Sequence, residues 1–166
     1  MAVTVYITLG SLAVAAAGLL FTILDKRKDR HRRVIVEVRE VPLLPAIAGP
    51  RIGLTLDGVL LDTPRLYVVR ATNVGRAGLP RQDIEKPLTV TVDGGRLHLL
   101  TASFHDHPSS PPEPLKGVAA NKEGLEIQAP KTLLNPGNTL QLLFITVGTA
   151  AAPQVSLRAK DFKVAH

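Results

Sequence analysis

The densest group of residues able to do chemistry is His105-Asp106-His107, where an alternating run meets the proline-rich HPSSPPEP of 107–114. On a strand, residues two apart share a side, so both imidazoles would face the same way and could give one ion two ligands. A closed zinc site needs four ligands and an open one three, and no paired motif elsewhere supplies the rest. The chain has no cysteine, which removes thiolate ligands, a cysteine nucleophile and a disulfide scaffold. Asp57, Asp62, Asp83 and Glu85 stand at no spacing that pairs them for acid–base work. Ser11, Ser103, Ser109, Ser110 and Ser156 lie outside any nucleophile-elbow pattern. Gly94-Gly95 reads as a turn, not as a phosphate-cradling loop that opens a helix. These residues lead to an expectation of no enzyme, no metal and no cofactor.

A second group is basic. Arg65, Arg70, Arg76, Arg81 and Lys86 lie within 22 positions. Converging, they would bind the phosphates of a small anionic ligand; spread out, they are a solvated strand face.

The elements that must carry these residues read as short strands. Val34, Val36 and Val38 alternate with Ile35, Glu37 and Arg39, and Ile52, Leu54 and Leu56 with Gly53 and Thr55. RLYVVRATN (65–73), the alternation around Leu88, Val90 and Val92, and RLHLLTASF (96–104) follow. Leu125-Glu126-Ile127, TLQLLFITV (139–147), the alternation around Val155 and Leu157, and a closing FKV complete about nine strands. Asp93-Gly94-Gly95 predicts a hairpin. Asn135-Pro136-Gly137-Asn138 suits a type II turn. Asn73-Val74-Gly75 ends a strand with residues that tolerate positive φ. LPRQDIEK (79–86) is the one stretch that could make a helical turn. VPLLPAIAGP (41–50) reads as an extended connection and 107–114 as a polar loop. Short strands at this spacing predict an all-β domain over 34–166, an immunoglobulin-like β-sandwich in architecture, though without the Cys–Trp–Cys hallmark.

Ahead of it, MAVTVYITLGSLAVAAAGLLFTIL (1–24) carries no charge. As a helix it would be about 36 Å long, enough for a hydrocarbon core of about 30 Å. A cleaved signal peptide would have a basic start and a small-residue cleavage site before the mature chain, and neither fits here. The expectation is a single transmembrane helix over 1–24. Residues 25–33 form a basic juxtamembrane segment, with Lys26, Arg27, Lys28, Arg30, Arg32 and Arg33 poised to touch anionic lipid. The positive-inside rule then puts the N-terminus outside and the β domain in the cytoplasm, at the inner membrane. Ser11 with Ala15, and Ala13 with Ala17, have the four-residue spacing of close helix packing, which would permit self-association.

Charge agrees with this placement. Of the formal +6, residues 25–33 hold +4 and the 133 that follow hold +2. A nucleic-acid footprint would spread Lys and Arg over a folded face, so no nucleic-acid partner is expected. The uncharged 1–24, the basic 25–33, LYVVRATNVG and LLNPGNTLQLLFITVG together resemble small bacterial single-pass membrane proteins of unassigned function with an immunoglobulin-like cytosolic β domain. The layout is also similar, more loosely, to bacterial antiviral effectors that join transmembrane helices to a small β ligand sensor. The first resemblance implies a membrane-anchored adaptor or structural subunit that binds a membrane or cytosolic protein, or itself as a homo-oligomer. The second implies a ligand-gated effector, whose β domain senses a small anionic ligand such as a nucleotide second messenger and whose helix oligomerises.

Overall fold

The structure, a computed structural model, describes residues 31–43, 54–107, 109–121, 123–149 and 152–165. In chain order the strands are β1 (Arg33–Val41), β2 (Thr55–Leu56), β3 (Val59–Leu60), β4 (Arg65–Asn73), β5 (Ile84–Thr91), β6 (Arg96–His105), β7 (Glu113–Pro114), β8 (Ala119–Ala120), β9 (Glu126–Gln128), β10 (Thr139–Val147), β11 (Gln154–Ala159) and β12 (Lys163–Ala165). They form a six-stranded sheet in the order β12-β1-β4-β10-β6-β7, a four-stranded sheet in the order β11-β5-β9-β8, and the separate hairpin β2-β3.

Period-two alternation explains why the two large sheets stack. Val34 and Val36 of β1, Tyr67, Val69 and Ala71 of β4, Leu140, Leu142 and Phe144 of β10 and Ala102 of β6 are buried on one face of the six-stranded sheet. Leu88 and Val90 of β5, Ile127 of β9 and Leu157 of β11 meet them from the four-stranded sheet in a single core cluster. The core is aliphatic around one aromatic pair, Tyr67 and Phe144, whose ring centroids are 5.8 Å apart.

The expected architecture, a transmembrane helix leading into an immunoglobulin-like sandwich, is corrected. A three-residue 3-10 turn, Arg81–Asp83, lies inside the stretch singled out for a helical turn. No helix of the described residues is long and apolar enough to cross a membrane. Residues 1–24, and with them Ser11, Ala13, Ala15 and Ala17, lie outside the described residues, as do Lys26, Arg27, Lys28 and Arg30. The immunoglobulin label fails on strand count. The sandwich divides six against four, where an immunoglobulin domain divides four against three in the constant type and four against five in the variable type.

Two turn readings also change. Asp93-Gly94-Gly95 does turn, with Gly94 and Gly95 at positive φ, but it makes no hairpin. β5 pairs with β11 and β9, and β6 with β10 and β7. β5 and β6 belong to different sheets, so the turn carries the chain from one sheet to the other. The hairpin lies instead at Asp57-Gly58, between β2 and β3. Both residues have positive φ, as a two-residue type I′ loop requires. Asn135-Pro136-Gly137-Asn138 is as expected: Gly137 has φ 85°, and the Asn138 N–H donates to the Asn135 carbonyl at 2.9 Å.

Candidate functional site

Three surface features stand out among the described residues. The first is the outer face of the six-stranded sheet. Strand register lays its side chains in rows: Ile35, Thr72, Thr139 and His105; then Glu37, Arg70, Gln141 and Ser103; then Arg39, Val68, Leu143 and Thr101. A groove of about 270 Å³ runs between Glu37, Arg70, Thr72, His105, Thr139 and Gln141. A second of about 170 Å³ lies beside it between Glu37, Arg39, Val41, Val68 and Arg70. Arg70 Nε donates to Gln141 Oε1 at 2.8 Å, and the hydroxyls of Thr72 and Thr139 are 2.9 Å apart. Two ion pairs form among the described residues, Arg32–Asp161 and Arg158–Glu85. Glu37 and Arg70 are therefore cross-strand neighbours without a salt bridge. The grooves present a carboxylate, a guanidinium, an amide and hydroxyls together.

The second feature is the outer edge of β1. The Arg33 carbonyl accepts from Val74 and Gly75 on the β4 side, and the Arg32 carbonyl accepts from Lys163 on the β12 side. Along a strand these directions alternate. The odd-numbered residues of β1 therefore bond to β4, and the even-numbered ones point their N–H and C=O the other way. β12 covers β1 only from Arg33 to Ile35. Beyond it, Val38 and Glu40 face an edge to which no described strand is paired. Val38 is 45 % exposed, although its alternation puts it on the same face as buried Val36.

The third feature is the β2-β3 hairpin. The Leu61 N–H donates to the Leu54 carbonyl at 2.8 Å, closing its open end. The Gly148 N–H donates to the Asp62 carbonyl at 2.8 Å, and Thr63 Oγ1 donates to the Gly148 carbonyl at 3.0 Å. The base is thus fixed to the end of β10, while Val59 and Leu60 are each 67 % exposed.

The five basic residues suggested for a ligand are not assembled into one site. Arg70 alone lines the grooves. Arg65 is five residues away on the same strand and so points to the opposite face. Arg76 lies in the loop after β4, where its N–H donates to the His31 carbonyl at 2.9 Å. Arg81 is in the 3-10 turn. Lys86 is on β5 in the other sheet, in register with Arg158. Two residues expected at the membrane surface belong to the sandwich. Arg33 opens β1. Arg32 reaches Asp161 Oδ2 at 3.3 Å, and its guanidinium carbon stands 5.8 Å from the centre of the Phe162 ring.

His105 and His107 also part company. His105 lines the larger groove, with Nε2 3.4 Å from Ser103 Oγ. His107 lies beyond the strand end, and its Nδ1 accepts from the Ser109 N–H at 3.3 Å. Among the described residues no three His, Asp or Glu side chains group as a metal site would require. The hairpin was legible but missed: Asp57-Gly58 between two short apolar-ended runs is a strong turn signal. The open edge of β1 had no local signal, because edges are a property of topology.

No protein-family model matches the chain, and no curated protein does. Among solved structures it is similar to a CBM3a-L domain with flanking linkers from the scaffoldin CipA of the cellulosome of Clostridium thermocellum. The likeness has 13 % identity and a TM-score of 0.41, and covers 83 % of this chain and 79 % of that one. It is also similar to a family 3a carbohydrate binding module from the CipA scaffolding of the same organism, at 13 % identity and a TM-score of 0.39, over 75 % of this chain and 90 % of that one. At that identity and those TM-scores, neither likeness bears on what this chain binds.

Proposed function

We propose that the chain is a non-catalytic protein-interaction module, an adaptor or structural subunit that docks through its β2-β3 hairpin. The observation that carries this reading is the exposure of Val59 and Leu60, the two most exposed large hydrophobic residues among the described ones. A surface apolar pair on a flexible loop would lose much of its burial energy to ordering. Here Asp57-Gly58 and the bonds to Gly148 already hold the hairpin in shape, so less entropy remains to be lost on binding. Burying such a tip contributes roughly 25 cal/mol per Å² of apolar surface. The alternative, a sensor of small anionic ligands, has less on its side: Arg70 is the one suggested residue in a groove, and Glu37 shares that groove.

A photo-crosslinking amino acid at Leu60 tests the reading. We expect a discrete adduct with one other polypeptide, and its loss in the Val59→Asp background. The same probe at exposed Lys116 is expected to give no such adduct. Stability should stay within about 0.5 kcal/mol of the parent, because surface changes away from special features cost little. Adducts of equal yield at both positions would sink the proposal.

We also propose attachment to the inner membrane, on the sequence of residues 1–33 alone. In a flotation gradient the chain should rise with the membranes, and recovery from the soluble layer counts against it.

A further inference from the structure

Strand register gathers one set of loops at the end of the sandwich where β1 begins. Asn73, the last residue of β4, is in register with Val34; Thr139, the first of β10, with Thr72 and His105; and Lys163, the first of β12, with Arg33. Hydrogen bonds tie the loops of this end together. The Arg76 and Ala77 N–H groups donate to the His31 carbonyl at 2.9 and 2.8 Å. Asn73 Nδ2 donates to the Leu134 carbonyl at 2.7 Å, and the Lys160 N–H to the Asp83 carbonyl at 2.7 Å. These loops carry exposed Arg76, Arg81, Lys131 and Lys160. Their carboxylates are exposed Asp106, half-buried Asp83, and Asp161, which pairs with Arg32. The loops at the opposite end carry Asp57, Asp62, Asp93 and Glu123 among their described residues. The sandwich thus has a basic end and an acidic end. Val74, 48 % exposed, and Leu133, 42 % exposed, belong to the basic one. Each stands two positions from a cation, Arg76 and Lys131.

We propose that this basic end docks on an anionic lipid surface, with Val74 and Leu133 entering the headgroup layer and the four cations against headgroup anions. The partner is taken from the membrane attachment proposed above. Reach is what favours it. The uncharged stretch ends at Leu24, seven positions before His31, and seven steps of chain span at most about 25 Å. Lipid that holds residues 1–24 therefore keeps the basic end close and leaves the acidic end facing away. Charge then acts over the last approach, because fields fade over about 8 Å at physiological ionic strength. Each Lys or Arg at an anionic surface favours the docked state by about fivefold. A nucleic acid would match the charge but not the two apolar side chains, whereas a lipid interface takes both. The β2-β3 hairpin is fixed to the end of β10, at the acidic end, so docking leaves Val59 and Leu60 open to a polypeptide.

The chain has no cysteine, so Val74→Cys and Leu60→Cys each allow one environment-sensitive fluorophore to be placed. The full chains are reconstituted in vesicles of phosphatidylcholine alone, or of phosphatidylcholine and phosphatidylserine in equal parts, with a nitroxide-labelled lipid as quencher. We expect quenching at position 74 in the mixed vesicles, much less in the neutral ones, and none at position 60 in either. High salt should release it. Arg76→Glu/Lys131→Glu should lower the ratio of docked to undocked chains at least about tenfold, while Arg76→Lys/Lys131→Arg should keep it. Neither side chain is in an ion pair formed among the described residues, so the reversal tests docking and not a lost bridge. Equal quenching at positions 74 and 60 overturns the proposal. So does quenching at 74 that ignores anionic lipid or the reversal, or a probe at 74 shielded only by another polypeptide. Flotation on neutral vesicles reads the attachment separately. A chain that floats on them yet stays unquenched at 74 in mixed vesicles keeps the attachment and loses the docked end. One that fails to float on them, but is quenched at 74 in mixed vesicles and released by the reversal, loses the attachment and keeps the docked end.

Discussion

Asn73→Asp is expected to be more destabilising than Asn73→Ala, although aspartate is the closer match in shape. Asn73 ends β4 and is fully buried. Its Nδ2 donates to the Leu134 carbonyl at 2.7 Å and to the Ala77 carbonyl at 2.9 Å, while Oδ1 accepts from the Gly75 N–H at 3.0 Å. One side chain thus ties the corner after β4 to the chain before β10. Alanine removes all three bonds. Two of the groups left behind keep another partner: Leu79 N–H still donates to the Leu134 carbonyl, and Gly75 N–H still reaches the Arg33 carbonyl. The expected cost is about 2–3 kcal/mol, from three bonds of about 1 kcal/mol each with partial compensation. Aspartate keeps the acceptor for Gly75 but turns an oxygen toward two carbonyl oxygens. As a buried unpaired charge it should cost about 3–5 kcal/mol. The buried carboxyl would hold its proton in the folded state more tightly than in the unfolded one. The folded state then binds more protons, so stability falls as pH rises. Urea unfolding of the Asn73→Asp chain should give a lower midpoint at about pH 8 than at about pH 5, with little such change for Asn73→Ala. A smaller loss for aspartate than for alanine at neutral pH would show that the donor side of the amide contributes little.

The corner around Asn73 also shows what a sequence can and cannot disclose. The long strand-forming runs were plain: RLYVVRATN and TLQLLFITV coincide with β4 and β10 residue for residue, because nine positions rich in β-branched, aromatic and other apolar residues between turn signals leave one reading. The two-residue strands β3, β7 and β8 were not legible, since a period needs more than two residues. Pairing was the harder problem. Asp93-Gly94-Gly95 and Asp57-Gly58 carry nearly the same local signal, yet one changes sheets and the other makes a hairpin. The difference lies in β9 and β11, which occupy the edges of β5 from more than 30 residues downstream. The basic residues of 65–86 failed to converge for the same reason. Neighbours in sequence were divided between two sheets and two faces of one strand. The candidate surfaces depended on which edges the topology left open, and no local window contains that.

Gly75→Ala is expected to cost about 2–3 kcal/mol, with the damage centred on the start of β1. The sequence suggested that this glycine served a positive φ, but its φ lies outside the left-handed region. Space is the reason for it. A Cβ at position 75 would stand 2.6 Å from the His31 carbonyl oxygen and 2.8 Å from the Arg33 nitrogen, both main-chain atoms. Neither can swing aside as a side chain could. Residues 31–33 would have to move away, loosening the bonds from Val74 and Gly75 to the Arg33 carbonyl and from Arg76 and Ala77 to the His31 carbonyl. Overpacking of this kind costs about 1–3 kcal/mol, and the lost corner bonds bring the total to the upper part of that range. Gly137 is the converse case. It has φ +85° with nothing within 4 Å of a built Cβ, so Gly137→Ala meets only the left-handed backbone penalty of about 1–2 kcal/mol. Hydrogen exchange separates the two mechanisms. In Gly75→Ala the amides of Val74 to Ala77 should lose protection together, while those of β10 keep theirs. In Gly137→Ala the loss should stay within the 135–138 turn. Equal protection of Val74 to Ala77 in parent and Gly75→Ala chains would mean that β1 is not held at this crossing.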